Sequence, residues 1–341
     1  MFHSKTNMKT NLFLMGISAA AMLASCSNDE NLELARNSQV IQFDSFVNKE
    51  TRTVDISNDN FRKFQVWGLM EKDGQTGQPF IGTEVTSSDG NTWSYTTPVY
   101  WEDGYKYSFV AIAPEATGGN WDFTAPTSVG QWGSIAFDNG EGTTDLIYDI
   151  DGTYATTPVT LTDDQCPAQI SFTFNHMLSR VKFAFKNALA DGSTLNVTDV
   201  TITNANVKAN AALGENVTWT LAGDNTPTAL DFGDVALGAE ATDFAANETK
   251  ETSHKYMIPA VGADQSYTVQ FTVTRTHHGV TDTYHHEVTL PEVDWKAGNS
   301  YAFVATLDAS NIDPDTELCE IVFSAQVTPW EDFNNPATDI P

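Results

Sequence analysis

The sequence predicts an all-β chain built of sandwich domains, and three observations predict it. Nearly every periodic segment alternates apolar and polar residues, tight Gly-containing turns separate those segments, and no stretch behind the first thirty residues is long and apolar enough to span a bilayer. In chain order, the alternation appears at Val40-Ile41-Gln42-Phe43, Tyr105-Lys106-Tyr107-Ser108-Phe109, Ile170-Ser171-Phe172-Thr173-Phe174 and Val181-Lys182-Phe183-Ala184-Phe185. It returns at Thr268-Val269-Gln270-Phe271-Thr272-Val273 and Tyr301-Ala302-Phe303-Val304. A period of two places one set of side chains in a core and the other in solvent, as half-buried strands require. Asp73-Gly74, Asp89-Gly90, Asp103-Gly104, Asp151-Gly152 and Asp191-Gly192 are turn signals between them.

The N-terminus has a different logic. Lys5 and Lys9 precede an apolar run from Leu12 to Leu23, which closes on Leu23-Ala24-Ser25-Cys26. The run is short for a membrane span, and the small residues before a cysteine fit a lipoprotein signal peptide. The expected division is a signal peptide over 1–25 with Leu23, Ala24 and Ser25 as its lipobox, then a lipidated linker over 26–38 that starts at Cys26. Ser27-Asn28-Asp29-Glu30 resembles the surface-export signal of certain Gram-negative lipoproteins, so attachment to the outer membrane, facing outward, is expected.

The formal net charge of −28, from 45 acidic and 17 basic side chains, excludes nucleic acid as a partner, because phosphates need lysine and arginine. Behind Cys26 only Cys166 and Cys319 remain, and two cysteines do not make a disulfide scaffold, although the pair could bond in an oxidising compartment. A shift from Trp-rich, Gly-rich sequence to regular Thr/Val strands falls near Gln165-Cys166-Pro167. It predicts an N-terminal sandwich over 39–166 and a C-terminal one over 167–341, with no evident internal repeat.

Chemistry-bearing clusters are few. His277-His278 and His285-His286 flank a Gly279-containing turn, but adjacent strand residues face opposite sides, so each pair splits and a solvated hairpin tip is expected, with no metal. Asp145, Asp149 and Asp151 sketch an acidic loop lacking the terminal glutamate of a calcium loop. Nucleophile elbows, zinc helices and phosphate-cradling loops are missing, so neither an enzyme nor a cofactor is expected. Trp93, Tyr95, Tyr100, Trp101, Tyr105, Tyr107 and Phe109 crowd one stretch, where they could form either a sugar platform or a core.

These aromatic runs carry a family resemblance. Trp93-Ser94-Tyr95, Tyr100-Trp101, and Tyr107 to Pro114, then Thr144-Asp145-Leu146-Ile147-Tyr148, resemble the fimbrillin (Mfa-like) family. So do Phe174-Asn175-His176-Met177-Leu178-Ser179-Arg180, Trp295-Lys296-Ala297-Gly298-Asn299-Ser300-Tyr301 and a closing Ile321 to Trp330. Each motif is weak alone; in order behind a lipobox they span almost the whole mature chain.

The resemblance implies two transthyretin-like β-sandwich domains and a type V pilus subunit that polymerises with other fimbrillin subunits by β-strand exchange. It asks for an exchangeable N-terminal strand, for which Val40, Ile41, Phe43, Phe46 and Val47 are the candidates, and for an Arg-specific protease that cuts behind it, at Arg52–Thr53. Ile321, Phe323 and Val327 mark a candidate C-terminal strand that is either donated or kept at home. His176 is expected to be structural. The alternative is a monomeric surface lipoprotein binding glycan or a host receptor through its aromatic-rich first domain.

Overall fold

A computed structural model describes residues 40–47, 56–162, 167–238, 249–259, 266–315 and 319–330. Cys26, its lipobox, the Arg52–Thr53 bond and Cys166 lie outside them. Strands are numbered in chain order, and the described residues hold four sheets. The first is seven-stranded: β1 (Phe43–Val47), β9 (Ile170–His176), β8 (Ile147–Asp151), β5 (Lys106–Ala113), β2 (Lys63–Lys72), β3 (Gln75–Ser87) and β4 (Trp93–Ser94), in that order. The second orders β13 (Thr218–Leu221), β12 (Lys208–Ala212), β7 (Ser134–Asp138) and β6 (Trp121–Thr124).

Two five-stranded sheets complete the fold. One orders β16 (Thr249–Glu251), β10 (Ser179–Asn187), β20 (Asn299–Leu307) and β21 (Phe323–Pro329), with β17 (Lys255–Met257) also on β10. The other orders β14 (Thr228–Asp231), β11 (Thr194–Ala205), β18 (Thr268–His277) and β19 (Val280–Thr289), with β15 (Val235–Leu237) also on β11. Their facing apolar rows, among them Val181, Phe183, Phe185, Phe303 and Phe323 against Leu195, Val197, Val269, Phe271 and Val273, make one core, as an aligned sandwich requires. The all-β sandwich expectation is met.

The first half is built differently from a self-contained sandwich. One face of its seven-stranded sheet encloses a core of Phe43, Phe64, Phe80, Phe109, Phe172 and Phe174. The other face, through Val110, Ile112 and Tyr148, packs on the four-stranded sheet through Trp121, Ile135, Phe137 and Trp219. With both faces covered, β5 is buried at every position from Tyr107 to Ala113, which is why its sequence turns from alternation to an unbroken apolar run.

The expected domain break after Cys166 does not coincide with a break in the sheets. Strand β9 begins at Ile170 yet pairs with β8 and β1, because its inward Phe172 and Phe174 fill the first core. The hairpin β12–β13 pairs with β7, so the four-stranded sheet takes strands from both sides of the break. The described residues, from Val40 to Trp330, accordingly cluster as one compact unit.

Candidate functional site

Strand β1 is the seam of the first sheet. It runs parallel to β9, in register from Phe43 opposite Ile170 to Val47 opposite Phe174. Just ahead of it, the Ile41 amide donates to the Val99 carbonyl at 2.8 Å, and Val40 bridges Tyr100 in the antiparallel sense. One short segment therefore joins β9 at one end of the sheet to the chain beyond β4 at the other. Two side chains clamp its backbone: the Tyr95 hydroxyl donates to the Ile41 carbonyl and the Gln169 amide to the Phe43 carbonyl, each at 2.6 Å.

Side chains fix its depth. Phe43 is 1% exposed and lies among Phe64, Phe80, Tyr95, Phe109 and Phe172, with ring centroids 5.1 to 6.5 Å away. Gly68 on β2 makes the room, since a Cβ there would come within 2.9 Å of the Phe80 ring and 3.1 Å of Phe109. Of the strand candidates, Ile41 and Phe43 are buried, Val40 is half-buried and Phe46 is 54% exposed, so the inward row is Ile41, Phe43 and Ser45. Phe46, one residue out of phase, must face outward.

Behind the seam lies a buried polar cluster. Asp145 accepts the Ile56 amide on one oxygen (2.9 Å) and pairs through the other with His176 Nδ1 (2.8 Å). The His176 ring stacks on Trp330 at 4.2 Å, and Trp330 also meets a stacked Tyr256 and the Arg180 guanidinium, 4.9 Å from its ring. Arg180, 1% exposed, donates through Nε to Ser300 Oγ at 3.1 Å and through Nη2 to the Trp330 carbonyl. Burial pulls its pKa below the ordinary guanidinium range, to about 9, so it remains a cation at neutral pH. His176 is thus a structural histidine, and the cluster ties the start of the body, at Ile56, to the end of the described chain, at Trp330.

The remaining candidates separate. Asp149 accepts the Thr173 amide at 2.6 Å and Asp151 the Thr153 amide at 3.1 Å, while Asp145 serves His176, so the three carboxylates do not converge on a cation. His285 faces Thr272 while His286 is buried against Phe271, and the described residues hold no group of metal ligands. The aromatic stretch is mostly core: Trp101, Tyr107 and Phe109 are buried, and Tyr100 alone of the seven is exposed, at 50%. Cys319 is exposed and forms no disulfide among the described residues. In the C-terminal strand, Ile321 and Phe323 are buried and Val327 is exposed, and β21 pairs antiparallel with β20 as the edge of its sheet.

Sequence reasoning missed one correspondence. Trp101-Glu102-Asp103-Gly104-Tyr105-Lys106-Tyr107-Ser108-Phe109 and Trp295-Lys296-Ala297-Gly298-Asn299-Ser300-Tyr301-Ala302-Phe303 share Trp, Gly, Tyr and Phe at identical spacing. In both, the tyrosine ring lies 4.8 Å from the tryptophan, and its hydroxyl accepts the amide that follows the tryptophan (Glu102 at 2.9 Å, Lys296 at 2.6 Å). Burial raises both tyrosine pKa values, that of Tyr107 to about 12, so both hydroxyls stay protonated. An internal repeat is present after all.

Fold and seam together define a structural β-sandwich protein closed by its own N-terminal strand. The sequence matches the fimbrillin-like family model over residues 51–330, and the chain belongs to that family, one of fimbrial and adhesin structural proteins. No curated protein matches it. Solved structures with a similar fold include a candidate cell adhesion protein from Bacteroides eggerthii (12% identity, TM-score 0.49, 86% of this chain and 96% of that one). A second, from Bacteroides ovatus, has 14% identity and a TM-score of 0.46 over 86% and 98% of the two chains. The fimbrial anchor protein Mfa2 from Porphyromonas gingivalis gives 11% and 0.35 over 85% and 97%.

Proposed function

We propose that this fimbrial subunit travels to the outer face of the outer membrane as a lipoprotein anchored on Cys26, and assembles into a surface fimbria when proteolysis at Arg52–Thr53 frees β1 from its groove for a neighbour's strand to replace. The observation that carries the proposal is the seating of β1. It is a short edge strand whose place is held by two aliphatic or aromatic side chains and by contacts to its backbone, and a backbone clamp accepts any strand. Vacating the groove strips cover from the rings around Phe43 and leaves the β9 edge unpaired, both unfavourable until another strand enters.

Arg52 is favoured by elimination among the arginines: Arg36 precedes β1, so a cut behind it would leave β1 attached to the body. Arg62 is folded onto its own turn, donating to the carbonyls of Asn58, Asp59 and Phe61; Arg180 is buried; Arg275 holds Ser193 and Asp191. A cut behind Arg52 would leave the body's new start, Thr53, three residues ahead of Ile56, which is held by Asp145. For the donor, β21 offers an edge strand with Ile321 and Phe323 on its inward row. The glycan-binding alternative loses support from the burial of the aromatic stretch. N-terminal sequencing of surface-extracted polymer tests the proposal: a start at Thr53 is expected, and a start at Cys26 throughout the polymer would sink it.

A further inference from the structure

Within β1, Ser45 occupies an inward position opposite Phe172, is 3% exposed, and its hydroxyl finds no hydrogen-bond partner among the described residues. A serine there forfeits the hydration it keeps when the strand is out, and gains nothing in return. A similar run of letters recurs elsewhere in the chain. Ile41-Gln42-Phe43-Asp44-Ser45-Phe46-Val47 and Ile321-Val322-Phe323-Ser324-Ala325-Gln326-Val327 coincide in Ile, Phe and Val at alternate positions, and Ala325 stands where Ser45 does.

We infer that Ser45 makes β1 a weak occupant of its own groove, and that the groove selects an incoming strand carrying Ile, Phe and then a small side chain without a hydroxyl at that register. The Ile321–Val327 strand of a second copy of this chain meets that requirement. The weakening of β1 stands on the buried hydroxyl alone, whereas the selection of a partner rests on the strand-exchange reading. An unsatisfied buried hydroxyl of this kind lowers occupancy by about 5- to 150-fold relative to alanine.

Amide hydrogen exchange on the full chain with Arg52 intact tests the first half. Ser45→Ala is expected to slow exchange over residues 40–47 by about 5-fold or more, while Ser45→Thr, which keeps the hydroxyl, is not; an unchanged or faster rate in Ser45→Ala overturns the inference. The second half uses wild-type protein cut by trypsin behind β1 and two synthetic peptides of the 319–330 sequence, one unaltered and one with Ala325→Ser. Tighter binding of the unaltered peptide by the same factor is expected, and equal or reversed affinities overturn the selection. Failure of both peptides to bind overturns the exchange reading and the selection with it; the hydrogen-exchange comparison still decides whether Ser45 loosens β1.

Discussion

Replacing Phe43 by alanine probes whether β1 is an independently removable element. The side chain is 1% exposed and touches five rings, so its removal leaves a cavity whose walls are large, mutually packed aromatics that collapse poorly. Truncations of this kind cost about 3 to 5 kcal/mol. Because β1 is a sheet edge, held by β9 on one side and by the Val99–Tyr100 segment at its start, the loss should fall on detachment of the strand before it falls on global unfolding. At about 1.4 kcal/mol per factor of ten, the open population rises roughly 100- to 3000-fold. Hydrogen exchange followed by proteolysis and mass spectrometry resolves the two cases. Residues 40–47 should exchange faster by that order while the β18–β19 hairpin in the second core keeps its wild-type protection. If 40–47 and β18–β19 accelerate together, β1 is part of one cooperative unit and the notion of a removable plug fails.

Other consequences can be checked with ordinary biophysics. Burial raises the Asp149 pKa from 3.8 to about 6, so the folded state holds this proton more tightly; its contribution to stability is complete below about pH 3.8 and lost as pH rises through 6. Asp149→Asn should therefore match wild type in acid and melt higher above pH 6. His254 is shifted the opposite way by burial, with Arg180 adding to it, from 6.5 to about 4; its contribution is present above pH 6.5 and lost as pH falls through 4. His254→Asn should flatten the acid limb of the melting curve, and a limb identical to wild type would contradict the assignment. Arg180→Met strips donors from the Trp330 carbonyl and Ser300 Oγ, at a cost of about 3 kcal/mol, which urea titration would show as a lower midpoint with unchanged slope. Arg52→Gln should leave melting unaltered yet abolish the oligomer ladder produced by an Arg-specific protease; ladders of undiminished intensity would move the cut elsewhere.

Local features of the fold were legible in the sequence, and long-range ones were not. Asp73-Gly74 reads as a two-residue hairpin turn, and both residues adopt positive φ (52° and 75°) between β2 and β3, a geometry glycine permits and aspartate tolerates. The histidine hairpin was also legible, and its Gly279-containing turn is His278-Gly279. Alternation, by contrast, says which residues of a strand point inward without saying which sheet receives them. Ile170-Ser171-Phe172-Thr173-Phe174 is an obvious strand, yet nothing in its letters assigns it to the sheet of the first half. Arg180 lies on the face of β10 opposite Val181 and Phe183, where a charge predicts solvent; the second buried layer, supplied by Trp330 and Tyr256, comes from remote parts of the chain. The tryptophan–tyrosine repeat is faint in the sequence because only four letters in nine are shared, and its meaning is a hydrogen bond that spacing alone does not show.

The proposed strand exchange would set a demand on the rest of the molecule: the body would have to survive the interval in which its groove is empty. A lone seven-stranded sheet losing its seam would expose its aromatic core along one edge and invite collapse or aggregation. Here the outer face of that sheet is buried against the four-stranded sheet, and half of that second sheet, β12 and β13, arrives from the second half of the chain. The Asp145–His176–Trp330–Arg180 cluster adds a polar tie across the same layer, and its first link grips Ile56, beyond Arg52. The proposed cut behind Arg52 would therefore release β1 without touching either support. On that proposal the sharing of strands between the two halves would let the first half hold an open groove, and a variant that weakens the shared layer, such as Trp219→Ala, should lose protein to aggregation after cleavage while remaining folded before it.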